Sequence, residues 1–551
     1  MQLLGDAALT IPVSGQAGSA GTTAAVRALA EAIHAAALAD VVDIVPSPDR
    51  VTVCYDLAAA GRLDELQASL AAIASDAAPH RKDHAATVHE IPVSYGGDAG
   101  PDLDEVCREC GLDRDTLIRR HTGGDYLVTA VGFTPGFAYL GGLDASLTTP
   151  RRATPRTRVP AGSVGIGGAQ TGVYPFASPG GWQIIGHTGV RFFDPEAAHP
   201  ALCRVGDRLR FVEARGNASL PRPPLVEVRA TDRSSRHGLT VLSPGLMTTV
   251  QDLGRPGYRA CGVTPGGAAD AAAAAVANLL VGNPPGAAVL ELTLAGPAVR
   301  CERDLRVALT GATFPGLAGW RPIELAAGST ITLGHATRGC RGYLAIAGGI
   351  DVPAVLGSRS THLAAGFGGL AGRPLQPGDR LMIGTERTPA TDPHWSLAPD
   401  LLPLPGPSAR LRLILPEPTA VASSDCFTRT YRVSSQSDRM GLRLTGAAIE
   451  RHGDGISRAV VPGTVQLPPD GQPILLLADS QTIGGYPVLG HVASADLRLA
   501  AQLQPGDEVV FEPVSRAEAQ AAWQRQQELL ADIAARIEAR WSHRLLPPHA
   551  R

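Results

Sequence analysis

Lysine is almost absent from this 551-residue chain: Lys82 stands alone among 49 basic residues, and the others are arginines. That scarcity excludes most routes to three chemistries. A Walker-A loop needs a lysine after its glycine-rich turn, and Lys82 sits in His-Arg-Lys-Asp without one. A covalent biotin needs a lysine flanked by methionines in a tight hairpin, which is not the setting of Lys82. A Schiff-base enzyme would have to use Lys82 itself. Any phosphate clamp here must rely on arginine, backbone N–H groups or a metal.

A basic surplus is also missing. The formal net charge is -3, which argues against a general nucleic-acid binder. No run of about 18 apolar residues escapes a charge, a proline or a glycine-rich break, so no transmembrane helix is expected. The start, MQLLGDAALT, has no basic region, so no secretory signal is expected, and the expected location is cytoplasmic. The eight cysteines are sparse for this length. They are expected to be reduced and mostly buried. Cys107 and Cys110 form a C-x-x-C on a predicted helix, but no second pair follows at zinc-ribbon spacing.

What is present is enough to build cores. The chain is 44% hydrophobic and 18% charged, and its length suits roughly three to four domains. Residues 1–95 read as a small α+β unit, with helices over Ala24–Leu38 and Leu63–Ala74. Strands Val41–Val45 and Val51–Tyr55 flank the turn Pro46-Ser-Pro-Asp. From about Ile91 glycine and proline become frequent and short β-type runs recur. Tyr126–Val131, Gly181–Ile185, Arg208–Val212, Leu305–Leu309, Thr330–Leu333, Arg410–Leu415 and Ile474–Leu477 are examples. That texture predicts barrels or sandwiches.

Pro-rich segments 213–236 and 387–408 read as linkers. They divide the β-rich part into 96–212, 237–386 and 409–513, with a helical tail over 514–551. Ser515 and Glu518 make a capping box there. Leu529, Leu530, Ile533, Ile537 and Trp541 form an apolar stripe expected to pack on the chain's own body.

An internal repeat supports the division. Pro160-Ala-Gly-Ser-Val leads to Pro179-Gly-Gly-Trp-Gln-Ile-Ile-Gly-His187 and ends at Val205-Gly-Asp-Arg-Leu-Arg-Phe. Val461-Pro-Gly-Thr-Val-Gln leads to Gly484-Gly-Tyr-Pro-Val-Leu-Gly-His491 and ends at Pro505-Gly-Asp-Glu-Val-Val-Phe. The middle region shares only the last turn, Pro377-Gly-Asp-Arg-Leu-Met-Ile. The pattern predicts three related barrel units.

Three clusters are candidates for chemistry. In the first, Gly132-Phe-Thr-Pro-Gly-Phe-Ala-Tyr-Leu contains Thr134, Pro135, Gly136 and Tyr139. It is either an anion-binding turn or an aromatic-rich barrel loop. Arg151, Arg152, Arg156 and Arg158 follow, suited to gripping carboxylates or phosphates. Gly180 and Gly181 precede Trp182, whose ring they would present at a sharp bend. His187 is either a chemical residue or a cap of the repeat, since His491 holds the equivalent place. The second cluster holds Gln251, Asp252, Arg255, Asp270, Asn278, Asn283 and Glu291, and Asp270 also fits a helix N-cap. The third, Asp438 and Arg439 with Gln481, Thr482 and Tyr486, would complete a cleft between barrels. No nucleophile elbow appears.

At these residues the chain resembles a known family. Tyr95-Gly-Gly, Gly100-Pro-Asp-Leu, His121, Gly132-Phe-Thr-Pro-Gly-Phe-Ala-Tyr-Leu, Pro150-Arg-Arg, Val159-Pro-Ala-Gly-Ser-Val and Pro179-Gly-Gly-Trp are similar to the B subunit of bacterial ATP-dependent 5-oxoprolinase. That family is also described as allophanate hydrolase subunit 1 or as a sporulation-kinase inhibitor. Thr249-Val-Gln-Asp-Leu-Gly-Arg, Gly266-Gly-Ala-Ala-Asp, Leu280-Val-Gly-Asn, Ser437-Asp-Arg-Met-Gly and Gln481-Thr resemble the C subunit. Together the halves resemble the carboxyltransferase region of urea carboxylase, so the chain looks like a B–C fusion. Two departures stand out: His187 where relatives are expected to carry arginine, and Ser457-Arg458-Ala459 for an expected Ser-Glu-Gly.

The resemblance implies a small α+β domain followed by cyclophilin-like β-barrels. It implies ATP-driven opening of the lactam 5-oxoproline to glutamate, with Mg2+, a separate A subunit and no biotin held on this chain. On that reading Arg151, Arg152, Asp252, Asp270 and His187 are the catalytic candidates, and the remaining cluster residues, Arg158 and Glu291 apart, are the candidates for binding substrate or nucleotide. The alternatives are a carboxyltransferase for biotin carried on another chain, or a regulator that binds a histidine kinase.

Overall fold

The computed structural model describes residues 1–77, 86–214, 237–386, 395–416, 424–450 and 457–542. Lys82 and most of the 213–236 segment lie outside them. The first unit is an antiparallel sheet ordered Gln2–Leu4, Ala8–Pro12, Arg50–Tyr55, Val41–Ser47. Helices α1 (Ala20–Ala35) and α2 (Leu63–Ala77) pack on it. Alternating Leu9, Ile11, Val51 and Val53 meet Val26, Leu29, Ile33, Leu66 and Leu70 in one core.

Helices α3 (Leu103–Cys110) and α4 (Arg114–Thr122) lead into a closed seven-stranded barrel. Around it run Val88–Tyr95, Gln183–His187, Ser163–Gly167, Gln170–Val173, Ala138–Gly141, Tyr126–Val131 and Arg208–Glu213. The barrel therefore starts at Val88, before the expected boundary at residue 95. One parallel pair, Val88–Tyr95 with Arg208–Glu213, closes the ring. A separate hairpin, Arg156–Val159 with Ser178–Gly180, stands beside it.

The last unit repeats this topology strand for strand. Ser408–Ile414, Val488–Val492, Thr464–Gln466, Ile474–Leu476, Gly441–Thr445, Tyr431–Val433 and Glu508–Val514 form its ring. The parallel closure is Ser408–Ile414 with Glu508–Val514, and the side hairpin is Arg458–Ala459 with Ile483–Gly484. Even an anchoring bond recurs: Tyr126 Oη donates to His121 O, and Tyr431 Oη to Cys426 O.

The 237–386 unit departs from the expected third barrel. It is two sheets packed face to face. One has Thr330–His335, Ala295–Cys301, His237–Ser243 and Arg380–Met382; the other has Met247–Gln251, Val289–Thr293, Arg338–Ile346, Leu305–Thr313 and Pro322–Leu325. Leu239, Val299 and Leu333 of the first face Leu290, Leu309 and Leu344 of the second. The cause is at the corners. Leu294, at φ 57°, turns the chain from one sheet into the other between Thr293 and Ala295. Gly339, also at positive φ, lies just past the second crossing. A strand bent this way switches sheets instead of continuing one ladder.

Helix α5 (Ala271–Leu280) covers this unit, the short α6 (Leu497–Ala501) belongs to the last barrel, and α7 (Arg516–Ser542) ends the described chain. The capping box forms, with Ser515 N donating to Glu518 Oε2 at 2.8 Å. Ile533 and Ile537 are buried against α5, with Leu529, Leu530 and Trp541 beside them. The 387–408 segment is not wholly a linker: Trp395, Leu397 and Leu402 pack into the same cluster, because apolar side chains in a Pro-rich run still seek cover. Among the described residues, no helix is long and apolar enough to cross a membrane.

Candidate functional site

The units touch through buried polar contacts. Asp6 of the first sheet accepts from Ser494 N and Oγ of the last barrel, at 2.9 and 2.7 Å. Asp43, on strand Val41–Ser47, accepts from Gly257 N and Arg259 N at 3.0 and 3.1 Å. Arg458 pairs with Asp49 at 3.5 Å, so this departure from the family pattern bridges the first sheet and the last barrel. A cavity of about 770 Å³ lies between α1, residues 198–205 and residues 257–261.

The Gly132–Phe137 loop is the meeting point of three units. Gly136 N donates to Cys261 O at 2.8 Å. A Cβ on Gly132 would strike Ile483 and Thr482 of the last barrel, and one on Gly262 would sit 2.6 Å from Thr134 O. Thr134 Oγ1 and Thr482 Oγ1 are buried and meet no partner among the described residues.

Beside this loop the arginines converge. Asp102, 5% exposed, accepts from Arg156 Nη2 at 2.6 Å, Arg152 Nη1 at 3.2 Å and Ile184 N at 2.7 Å. Arg151 is exposed and near enough to the Tyr139 and Tyr174 hydroxyls to favour their ionised forms. Burial outweighs that effect and pushes Tyr174 up to about 12. Phe137, Tyr139, Tyr174 and Trp182 form an edge-to-face floor. Trp182 is a buried member of it, 6% exposed. It does not present its face to solvent as the sequence predicts, because Gly167 leaves space for the indole. Gly180 has a matching reason: a Cβ there would lie 2.5 Å from the Tyr174 hydroxyl. Gly181 O holds Arg152 N at 2.8 Å.

The second and third clusters meet across the seam between the 237–386 unit and the last barrel. Arg439 donates to Asp479 through Nε (2.8 Å) and Nη2 (3.0 Å), to Gly267 O at 2.6 Å, and to Glu291 through Nη1. Burial opposes its charge, yet Asp479 and Glu291 outweigh that and hold it above its ordinary value. Glu291 also accepts from Tyr343 Oη at 3.0 Å and Ala269 N at 2.9 Å. Asp270 caps α5 through Ala273 N and accepts from Gln502 Nε2, both at 3.0 Å; burial raises its pKa. Arg255 lies on the Phe367 ring, 5.1 Å from its centroid, and donates to Ser360 O. Its Nη1 is enclosed without an acceptor among the described residues.

The remaining predicted residues are taken up in local bonds. Asp252 is taken up by Ser358, Ser360, Gly254 N and Arg359 N. Asn278 and Asn283 bond each other and nearby backbone, and Asp438 caps Met440 N and Gly441 N. His187 Nε2 bonds Ala161 O at 2.8 Å, which ties the repeat's turn. Gln251 is buried beside Thr249, Gln481 bonds Gln466, and Tyr486 is exposed. Sequence reasoning passed over Asp43, Asp102 and Asp479 as site residues. The available signal for Asp43 was an acid within an apolar strand, and for Asp102 an acid at a helix start after proline.

Asp43 supplies a pH test of the seam. Burial raises its pKa, against Arg259 and the two N–H donors. The folded chain thus holds this proton more tightly than the unfolded one, and stability drains away as pH rises from about 4 through the raised value. Asp43→Asn removes that loss. In denaturant melts across pH, the variant is expected to gain on wild type as pH rises; a gap that stays flat or moves the other way contradicts the assignment.

Comparison with known proteins agrees with this architecture. Residues 1–203 match the model of "carboxyltransferase domain, subdomain C and D", and residues 261–513 that of "carboxyltransferase domain, subdomain A and B". The chain is 41% identical to the C subunit of 5-oxoprolinase from Escherichia coli strain K12, over 54% of this chain and 98% of that protein. It is 58% identical to the B subunit of 5-oxoprolinase from Escherichia coli O157:H7, over 22% of this chain and 56% of that protein's length. The crystal structure of TTHA0988 superposes with a TM-score of 0.79 at 36% identity, covering 92% of this chain and 99% of the other. With both matches in one polypeptide, in barrels of repeated topology joined at a shared loop, this chain belongs to the carboxyltransferase-domain family of the 5-oxoprolinase B and C subunits, as a B–C fusion.

Proposed function

We propose that this chain is the B–C component of an ATP-dependent 5-oxoprolinase, which opens the lactam of 5-oxoproline to glutamate together with a separate A subunit. The observation that carries the reading is the arginine cluster beside the Gly132–Phe137 loop: two guanidiniums share one buried carboxylate, next to a loop that touches both halves. An unstrained lactam is a poor electrophile, and ATP, when bound, would supply the phosphoryl group that activates the carbonyl oxygen, so that water can add at that carbon, the C–N bond break with its nitrogen protonated, and the phosphoryl group leave as phosphate. The chain's own contribution is to bind and orient. Arg151, Arg152 and Arg156 match oxyanion geometry and spread developing charge. The aromatic floor keeps water from one side of the site.

The arginines fit a nucleotide phosphate, because Arg152 Nε and Arg156 Nη1 are enclosed donors without acceptors among the described residues. A cage for Mg2+ does not fit equally: no group of three His, Cys, Asp or Glu side chains converges among the described residues. In this reading Mg2+ is held mainly by the nucleotide's own phosphates.

The test is ADP release from the purified chain with ATP, Mg2+ and 5-oxoproline, with and without a candidate A subunit. Lactam-dependent ADP release that needs the A subunit is expected. No ADP with the partner present overturns the reading. The matched family models favour one other reading, carboxyl transfer from biotin borne on another chain; turnover that depends on carboxybiotin would establish it.

A further inference from the structure

We propose that Asp102 is a positioning residue that makes Arg152 and Arg156 a single clamp for a phosphoryl-type oxyanion. This rests on the anion-binding role given to the arginines above and names the group they take. Asp102 sits at the start of α3, yet its side chain does not cap that helix. It spends its oxygens elsewhere. Oδ2 accepts from Ile184 N, directly after the Gly181-Trp182-Gln183 bend, and Oδ1 accepts from both guanidiniums. Two cations drawn to one oxygen would repel each other without it. With it, their unused N–H groups are fixed in place.

Those unused groups point to a ligand. Arg152 Nε and Arg156 Nη1 are enclosed and meet no acceptor among the described residues, an arrangement that costs free energy unless a ligand oxygen completes it. The side chains as a whole remain 36% and 26% exposed, although these two nitrogens are covered. Arg152 is held at its other end as well, through its N–H to Gly181 O. Charge selects the ligand class. One carboxylate balances one arginine, which leaves the other arginine and neighbouring Arg151 to face a dianion. A phosphoryl group meets that charge with two negative charges spread over three oxygens, whereas a carboxylate brings only one.

The test uses the full chain, with inorganic phosphate as probe in calorimetry and ATP in the reconstituted reaction. Asp102→Asn keeps size and removes the charge. Loss of the ordered pair is expected to outweigh the extra net positive charge, so phosphate affinity falls about tenfold or more and the KM for ATP rises by a similar factor, with a smaller change in kcat; tighter phosphate binding overturns the proposal. Asp102→Glu should recover part of the loss, which a residue that only supports the fold would not show. If Asp102→Asn fails to fold, Arg156→Lys keeps the charge but loses the fork, and the same loss of phosphate affinity is expected. Wild-type phosphate affinity in Asp102→Asn or in Arg156→Lys overturns the proposal, as does a wild-type chain that binds no phosphate. Turnover with an unmoved KM in Asp102→Asn sinks the clamp and leaves the oxoprolinase reading standing. Phosphate binding that needs Asp102, in a chain that never turns over the lactam, does the reverse.

Discussion

Arg439→Ala is expected to cost about 3–5 kcal/mol of stability, because it takes a guanidinium from two buried carboxylates at once and leaves Glu291 only the more distant Arg341, at 3.8 Å. Glu291 is 1% exposed and the Asp479 side chain 8%. Both lose their bonds to the guanidinium, and Gly267 O loses a donor as well. These groups belong to two units, so the loss falls on the seam between the 237–386 sheets and the last barrel. Denaturant melts followed by separate probes in each unit should show the transition splitting or moving to lower denaturant. Arg439→Lys should be only partly protective, since an ammonium cannot reproduce the fork that reaches Asp479 and Glu291 together. A variant with wild-type stability would show that the seam is held by apolar contact alone.

Gly262→Ala is expected to lower lactam-dependent ADP release by about a hundredfold, the scale on which a misplacement of about 1 Å acts. Gly262 sits at φ 77°, and a Cβ would lie 2.6 Å from Thr134 O and 3.2 Å from Gly132 Cα. The methyl group must push the Gly132–Phe137 loop away from the 237–386 unit. Backbone strain is shared with a control. Gly378 has φ 86° and nothing within 4 Å of its added Cβ, so Gly378→Ala carries the left-handed penalty, about 1–2 kcal/mol, without the collision. A hundredfold loss in the first variant beside near-wild-type turnover in the second would establish that catalysis needs the loop seated on the C half. Equal effects would mean that only strain was measured.

Much of the fold was legible along the chain. The repeat pattern announced three barrel units, and the two that share the long 160–187 and 461–491 match are barrels of one topology, because a barrel's turns and closing strand recur wherever the same ring must close. The middle segment shared only its last turn, and there the ring does not close; a positive φ at Leu294 leaves no mark in a pattern of apolar residues. The arginine run 151–158 was visible as a cluster of donors. Its counter-acid, Asp102, lies some fifty residues earlier in sequence, beyond the reach of any spacing rule. Trp182 looked presentable after two glycines, but the space that hides it is made by Gly167 on a neighbouring strand.

By itself, the sequence determined the local elements, the repeat, the family and the reliance on arginine, since each depends on residue type and short-range order. Only the tertiary structure decided which charges meet. Asp43 with Arg259, Asp102 with Arg152 and Arg156, and Arg439 with Glu291 and Asp479 all join segments far apart in sequence. Desolvation explains why they had to meet: a charge taken out of water is tolerated only where a partner arrives with it.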